Sequence, residues 1–177
     1  MFPDKHPRVY LNDATRARLN AALASNTPEA VRFRDLADAE LEGANSYGYE
    51  AWYSALLYVL SGETRYSDHA ITTMDAWVQS EQALIDAGER PEVAYDSYLN
   101  VGDYVGSLAL VYDWCFDRLT EDQRQRWLEY ANRAVANVWD PDGATWAGPH
   151  NRGAVGPSTT LRTTTTTRSC GPQCCWA

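Results

Sequence analysis

The stretch YLNVGDYVGSLALVYDWCF, Tyr98 to Phe116, decides how the chain is read. Its apolar residues Val101, Val105, Leu108, Tyr112 and Cys115 recur three or four apart, the spacing of one helix face. Tyr104, Val111 and Trp114 make a second apolar stripe. A helix that is apolar on most sides is buried among other elements. The run is also long enough for a membrane span. Asp103, Asp113 and Asp117 argue against that, because charge inside a bilayer is costly. Gly102 and Gly106 lie one turn apart and are expected to let another backbone approach closely. Asp96, Asn100, Asp103 and Ser107 share a polar stripe at the N-terminal end. That end either faces solvent or lines a polar cleft.

Outward from this helix the pattern stays helical. Upstream, Tyr49 to Leu60 (YEAWYSALLYVL) is nearly all apolar and is closed by Ser61-Gly62. Glu63 to Ala87 is longer and amphipathic, with Ala70, Met74, Trp77, Val78, Leu84 and Ile85 expected inward, and Gly88 to Pro91 breaks it. Earlier still, Asn12 or Asp13 can cap a first helix carrying Leu19 and Leu23. Thr27-Pro28-Glu29 opens a second, which runs to about Gly43. The leading HPRVYL is read as an extended segment that docks Val9, Tyr10 and Leu11. Downstream, Thr120-Glu121-Asp122-Gln123 is a capping box for a helix to Val138, with Trp127, Tyr130, Ala134 and Val138 on one face. Pro141-Asp142-Gly143 reads as a turn. Buried and amphipathic helices thus alternate with short connections and no convincing strand. The expectation is an all-α fold of antiparallel helical hairpins, with inner helices shielded by outer ones.

The chain has 177 residues, enough for one domain with a core, and a net charge of -9. Nucleic-acid binding needs a basic footprint, so no nucleic-acid partner is expected. Its 7 Trp and 11 Tyr suit either a carbohydrate-facing cleft or aromatic packing between helices. No apolar leader or membrane span is visible, so either the protein is cytosolic or a leader precedes this chain.

Two parts are expected, a folded unit over 1–146 and a tail over 147–177. The tail contains no Asp, Glu, Lys, Phe, Ile, Met or Tyr, but it holds five consecutive Thr from Thr163 to Thr167. Such low complexity predicts disorder. The genetic code suggests another origin. Read one base earlier, each step into a Thr codon yields Tyr, His, Asn or Asp. The step into Cys170 yields Leu, Met or Val. The steps into Cys175 and Trp176 each yield Leu, and the step into Ala177 yields Gly. The shifted frame is polar and aromatic, then apolar, in the style of the preceding helices. A frameshift near Gly148 is the expectation.

That frame is compatible with NNYYYSFLRATMLLG. Together with HPRVYL, WYSALLYVLSGE, YDWCFDRLTEDQRQRW and YANRAVANVW, it resembles uncharacterised bacterial proteins similar to the heparinase II/III group. The resemblance covers about residues 6 to 147, and YDWCFDRLT is its most specific part. It implies an incomplete (α/α) toroid, the helical domain of many polysaccharide lyases. It further implies a parent that is usually exported to the periplasm or beyond the cell and that cleaves uronate-containing polysaccharide by β-elimination. In that reaction an Asn, Gln or Arg neutralises the carboxylate, and a Tyr or His removes the α-proton. The Asn-rich motif of such enzymes would lie in the shifted frame, so no catalytic residue is carried over and this chain is expected to be inactive. Cut off within a toroid, it is expected to expose the apolar flank of its last helix.

The candidate substrate-binding residues are Asn100, Asp103, Tyr98 and Trp52. Asp103 with Asn100 either binds sugar hydroxyls or belongs to a solvated helix start. Trp52, Tyr53 and Tyr98 either stack on sugars or fill the core. Asp113 and Asp117, one turn apart, have the residue type a hydrolase pair needs, but Arg118, Arg124 and Arg126 are expected to bridge them. His6 and His69 are expected at the surface or at caps, and no metal or cofactor is expected. A zinc set from His150, Cys170, Cys174 and Cys175 fits no standard spacing. Cys115 is then a buried small hydrophobe. The alternatives to a lyase are a non-catalytic glycan- or protein-binding scaffold and a glycoside hydrolase on the same fold.

Overall fold

The structure is a computed structural model that describes residues 5–95 and 100–139. Among the described residues six α-helices follow one another: α1 (Asp13–Ala24), α2 (Pro28–Leu41), α3 (Ala51–Ser61), α4 (Thr64–Asp86), α5 (Gly106–Trp114) and α6 (Glu121–Trp139). There is no strand among the described residues. Tyr98, the turn at Pro141, the expected boundary near Trp146, His150 and the Thr- and Cys-bearing tail all lie outside the described residues.

The helix boundaries follow local chemistry. The Asn12 side chain accepts from the Thr15 amide at 2.9 Å and caps α1. Thr27 caps α2, with Pro28 in its first turn, where a missing amide proton costs nothing. Gly62 ends α3 at φ +76°, a left-handed conformation that glycine adopts without strain. The capping box at α6 is reciprocal. The Gln123 amide donates to Thr120 Oγ1 at 3.3 Å, and the Thr120 amide donates to Gln123 Oε1 at 3.0 Å.

The central stretch departs from the single α-helix expected of it. Val101–Val105 forms a π-helical turn before α5 begins at Gly106. Nor do Gly102 and Gly106 receive a backbone: nothing lies within 4 Å of where a Cβ would stand on either. The two glycines leave a bare patch rather than a helix crossing.

The core joins α3, α4, α5 and α6 and includes Ala55, Val78, Leu108, Val111, Cys115, Trp127 and Tyr130. Leu57 and Leu108, each almost fully buried, contribute about 2 kcal/mol apiece by leaving water. Cys115 is fully buried, and burial pushes its thiol up to about 12. By contrast, α1 has no fully buried residue, and its Leu19 and Leu23 are only half-buried.

Polar contacts set the register between helices. From α3 toward α5, Ser107 donates to Glu50 at 3.1 Å, Trp52 meets Trp114 edge-on, and Tyr58 donates to Asp117 at 2.6 Å. From α4 toward α6, Arg118 donates to Asp68 at 3.1 Å, Trp127 to Asp75 at 2.7 Å and Tyr130 to Glu81 at 2.9 Å. In both pairs the residue numbers rise together, so α3 runs with α5 and α4 with α6. The N-terminal ends of α3 and α5 therefore share one end of the molecule.

One buried charge organises the link into α5. Glu81 has no solvent exposure, and it accepts from the Glu92 and Val93 amides at 2.7 and 3.1 Å as well as from Tyr130. It thereby pins the short 3-10 turn Glu92–Ala94 to α4 and α6. Burial first, then the Glu81 charge, raises the Tyr130 phenol far above its ordinary value and keeps it a donor.

Candidate functional site

The leading segment is fastened to the C-terminal end of α5. Asp113 is 3% exposed. It accepts from the amides of Arg8 and Val9 at 2.6 and 2.8 Å, and its Oδ1 lies 2.6 Å from His6 Nδ1. Trp114 donates its indole N–H to the Val9 carbonyl at 3.0 Å. His6 stacks on Phe116 with ring centres 3.9 Å apart. The two motifs HPRVYL and YDWCF thus fold against each other, and residues 6–9 form a strap.

This arrangement overturns several expectations. Asp113 is engaged by the strap and by Arg8, not by Arg118, Arg124 or Arg126. Those arginines instead pair with Asp68, Glu121 and Asp75 respectively. Asp117 accepts from Tyr58, whose phenol rises to about 12 through burial and then the Asp117 carboxylate. The two aspartates therefore do not form a free acid pair. His6 is half-buried rather than a surface residue. So is His69, whose Nδ1 lies 3.1 Å from the buried Ser54 hydroxyl. Tyr10 does not dock. It is 80% exposed and sits at φ +60°, a strained region for a bulky side chain.

The exposed Tyr10 stands over a groove of about 380 Å³. Its other walls come from the shared end of α3 and α5: Glu50 and Trp52 on one side, Gly102, Asp103, Gly106 and Ser107 on the other. Trp52 is half-buried and held edge-on by Tyr53 at 4.3 Å and Trp114 at 6.1 Å. Its position is fixed by packing while part of the ring stays open. Glu50 is oriented by the Ser107 hydroxyl, and Asp103 is exposed. The π turn places Gly102 and Asp103 at the rim, and such turns recur at functional sites. Chemically, the groove offers the open part of an indole, a phenol, two carboxylates that accept hydrogen bonds from hydroxyls, and a wall where Gly102 and Gly106 present no side chain.

The structure therefore brings Trp52 and Asp103 together and sends Asn100 elsewhere. Asn100 donates its side-chain amide to the Glu92 carbonyl at 2.9 Å. It lines a separate hollow of about 530 Å³ with Arg90, Tyr95 and Tyr104. The physical reason is the π turn, which holds more residues per turn than an α turn and rotates Asn100 off the face that carries Asp103. Tyr53, half-buried, packs against Tyr49 and Phe33 and does not line the groove. Tyr10 and Glu50 are the groove residues that sequence reasoning missed. Glu50 had a weak signal as the charge before an apolar run, and Tyr10 had none, since its exposure depends on the Asp113 clamp.

Among the described residues, no three His, Cys, Asp or Glu side chains are gathered to hold a metal ion, and no helix is long and apolar enough to cross a membrane. No family model, no curated protein and no solved structure matches the chain.

Proposed function

We propose that this chain is part of an (α/α) toroid protein of the polysaccharide lyase type, and that its groove holds a uronate-containing glycan. The observation that carries the reading is the convergence of Trp52, Asp103 and Glu50 beside the bare wall of Gly102 and Gly106. An aromatic ring flanked by carboxylates is the recognition chemistry of a sugar: stacking for the ring face, acceptors for the hydroxyls.

Two features support the toroid. The paired directions of α3 with α5 and α4 with α6, with short links inside each of the pairs α3–α4 and α5–α6, are what successive hairpins with inner and outer helices produce. The outer flank of α6 leaves Leu128, Val135 and Trp139 exposed, at 46%, 50% and 89%. Their spacing of seven and four residues makes one stripe, the seam against which a next helix would pack.

The groove holds no Asn, Arg or His among its described lining residues, and β-elimination needs a carboxylate neutraliser. This chain therefore contributes glycan binding, and the elimination chemistry belongs to the segment encoded by the shifted frame. A hydrolase reading has one observation in its favour, the presence of Glu50 and Asp103 in the same groove.

Expressing the gene with the frame restored and supplying a panel of polyuronates separates these readings. The lyase reading expects products with the ultraviolet absorbance of an unsaturated uronate. Reducing ends without that absorbance would favour the hydrolase, and binding without product would favour a scaffold.

A further inference from the structure

A second cavity of about 530 Å³ adjoins the groove on the far side of the strap, and Tyr10 lines both. Its charged walls are Lys5, Arg8 and Arg16, with Asp13 as the one carboxylate and His6 alongside. On a chain of net charge -9, this is a local excess of cations next to a groove with acidic walls. Their heads are differently employed. Arg16 spends one nitrogen on the Val59 carbonyl at 3.0 Å, and Arg8 keeps Nε 3.5 Å from Asp113. Lys5 is exposed and carries no hydrogen bond or ion pair among the described residues.

We infer that this cavity is a subsite for the carboxylate of an acidic sugar whose neighbouring ring lies on Trp52, with Tyr10 as the wall between the two rings. The inference rests on the glycan-binding reading of the groove. It resolves how an acidic protein holds an acidic polymer. Hydroxyls meet Glu50 and Asp103, while the negative group crosses Tyr10 to meet cations. The strained backbone of Tyr10 fits this role, because it lifts the phenol out of the strap to where both cavities meet.

The test is calorimetry on the 177-residue chain with a uronate trisaccharide and with its counterpart in which each carboxylate is reduced to an alcohol. The wild type is expected to prefer the uronate by about tenfold at low salt, the factor expected for charge-assisted contacts. The double variant Lys5→Ala/Arg16→Ala is expected to lose that preference and keep its affinity for the neutral sugar within about twofold. Because Arg16 also tethers α1 to α3, Lys5→Glu serves as the variant with no structural cost, and it should lower the preference as well. An unchanged preference in Lys5→Glu, or equal binding of both sugars by the wild type, overturns the subsite while leaving the groove intact. Failure of the wild type to bind either sugar overturns the groove and the subsite together.

Discussion

His6 and Asp113, 107 residues apart in sequence, meet with Nδ1 and Oδ1 at 2.6 Å. The same carboxylate takes the amides of Arg8 and Val9, so one buried acid fixes the backbone of the strap. Tyr10 is the next residue along, and its place over the groove depends on this clamp.

Asp113→Ala would leave two amides and an imidazole without their acceptor. The expected cost is about 3 kcal/mol, the sum of unmade charge-assisted bonds. Trypsin should then cut the Arg8–Val9 bond at once under conditions where the wild type resists. Asp113→Asn keeps one acceptor oxygen and should fall between. Equal melting temperatures and equal cleavage for Asp113→Ala and wild type would contradict the clamp.

Glu81 is the second buried acid with a positioning role. Tyr130→Phe removes one bond to its carboxylate and should cost about 2 kcal/mol in urea unfolding. Glu81→Ala strands the amides of Glu92 and Val93 together with the Tyr130 phenol, and about 4 kcal/mol is expected. A ranking with Tyr130→Phe the more damaging would contradict the assignment.

A pH dependence follows from His69. Burial lowers its pKa below the ordinary 6.5, and the smaller attraction of Glu40 opposes this. The unfolded chain therefore binds the proton more readily than the folded one. Stability from the neutral ring is complete above about pH 6.5 and is lost as pH falls from there through the lowered folded value. The melting temperature should drop between pH 7.5 and pH 5.5, and His69→Gln should flatten that slope. A slope unaltered by the substitution would contradict the argument.

The helices were legible in the sequence because their signals are local. Thr27-Pro28, Gly62 and the Thr120–Gln123 box each act within one turn, and each stands where it was expected. The inward faces of Met74, Val78, Trp127 and Tyr130 followed from helical spacing. The polar partners were not legible, because they are tertiary. Nothing near Asp113 in sequence indicates that residues 6 to 9 would reach it, so local arginines were assigned to it wrongly. The burial of Glu81 has no local signal, because it depends on α6 and the 3-10 turn closing over it. Asn100 and Asp103 were placed on one face by α-helical arithmetic, which the π turn breaks. Of the groove's lining, Trp52 and Asp103 are residues the sequence had singled out by type and position, whereas Tyr10 and Glu50 come to the groove only through the fold.

The central claim is that the groove beside Trp52 takes a uronate glycan. The most direct measurement is tryptophan fluorescence of the chain titrated with a uronate trisaccharide, for wild type and Trp52→Ala. Loss of the indole face should weaken binding by about 1–2 kcal/mol, roughly five- to thirtyfold in affinity. A saturable change in the wild type that Trp52→Ala weakens to that extent is the predicted result. Binding of equal strength in both proteins, or no saturable change in the wild type, would contradict the account.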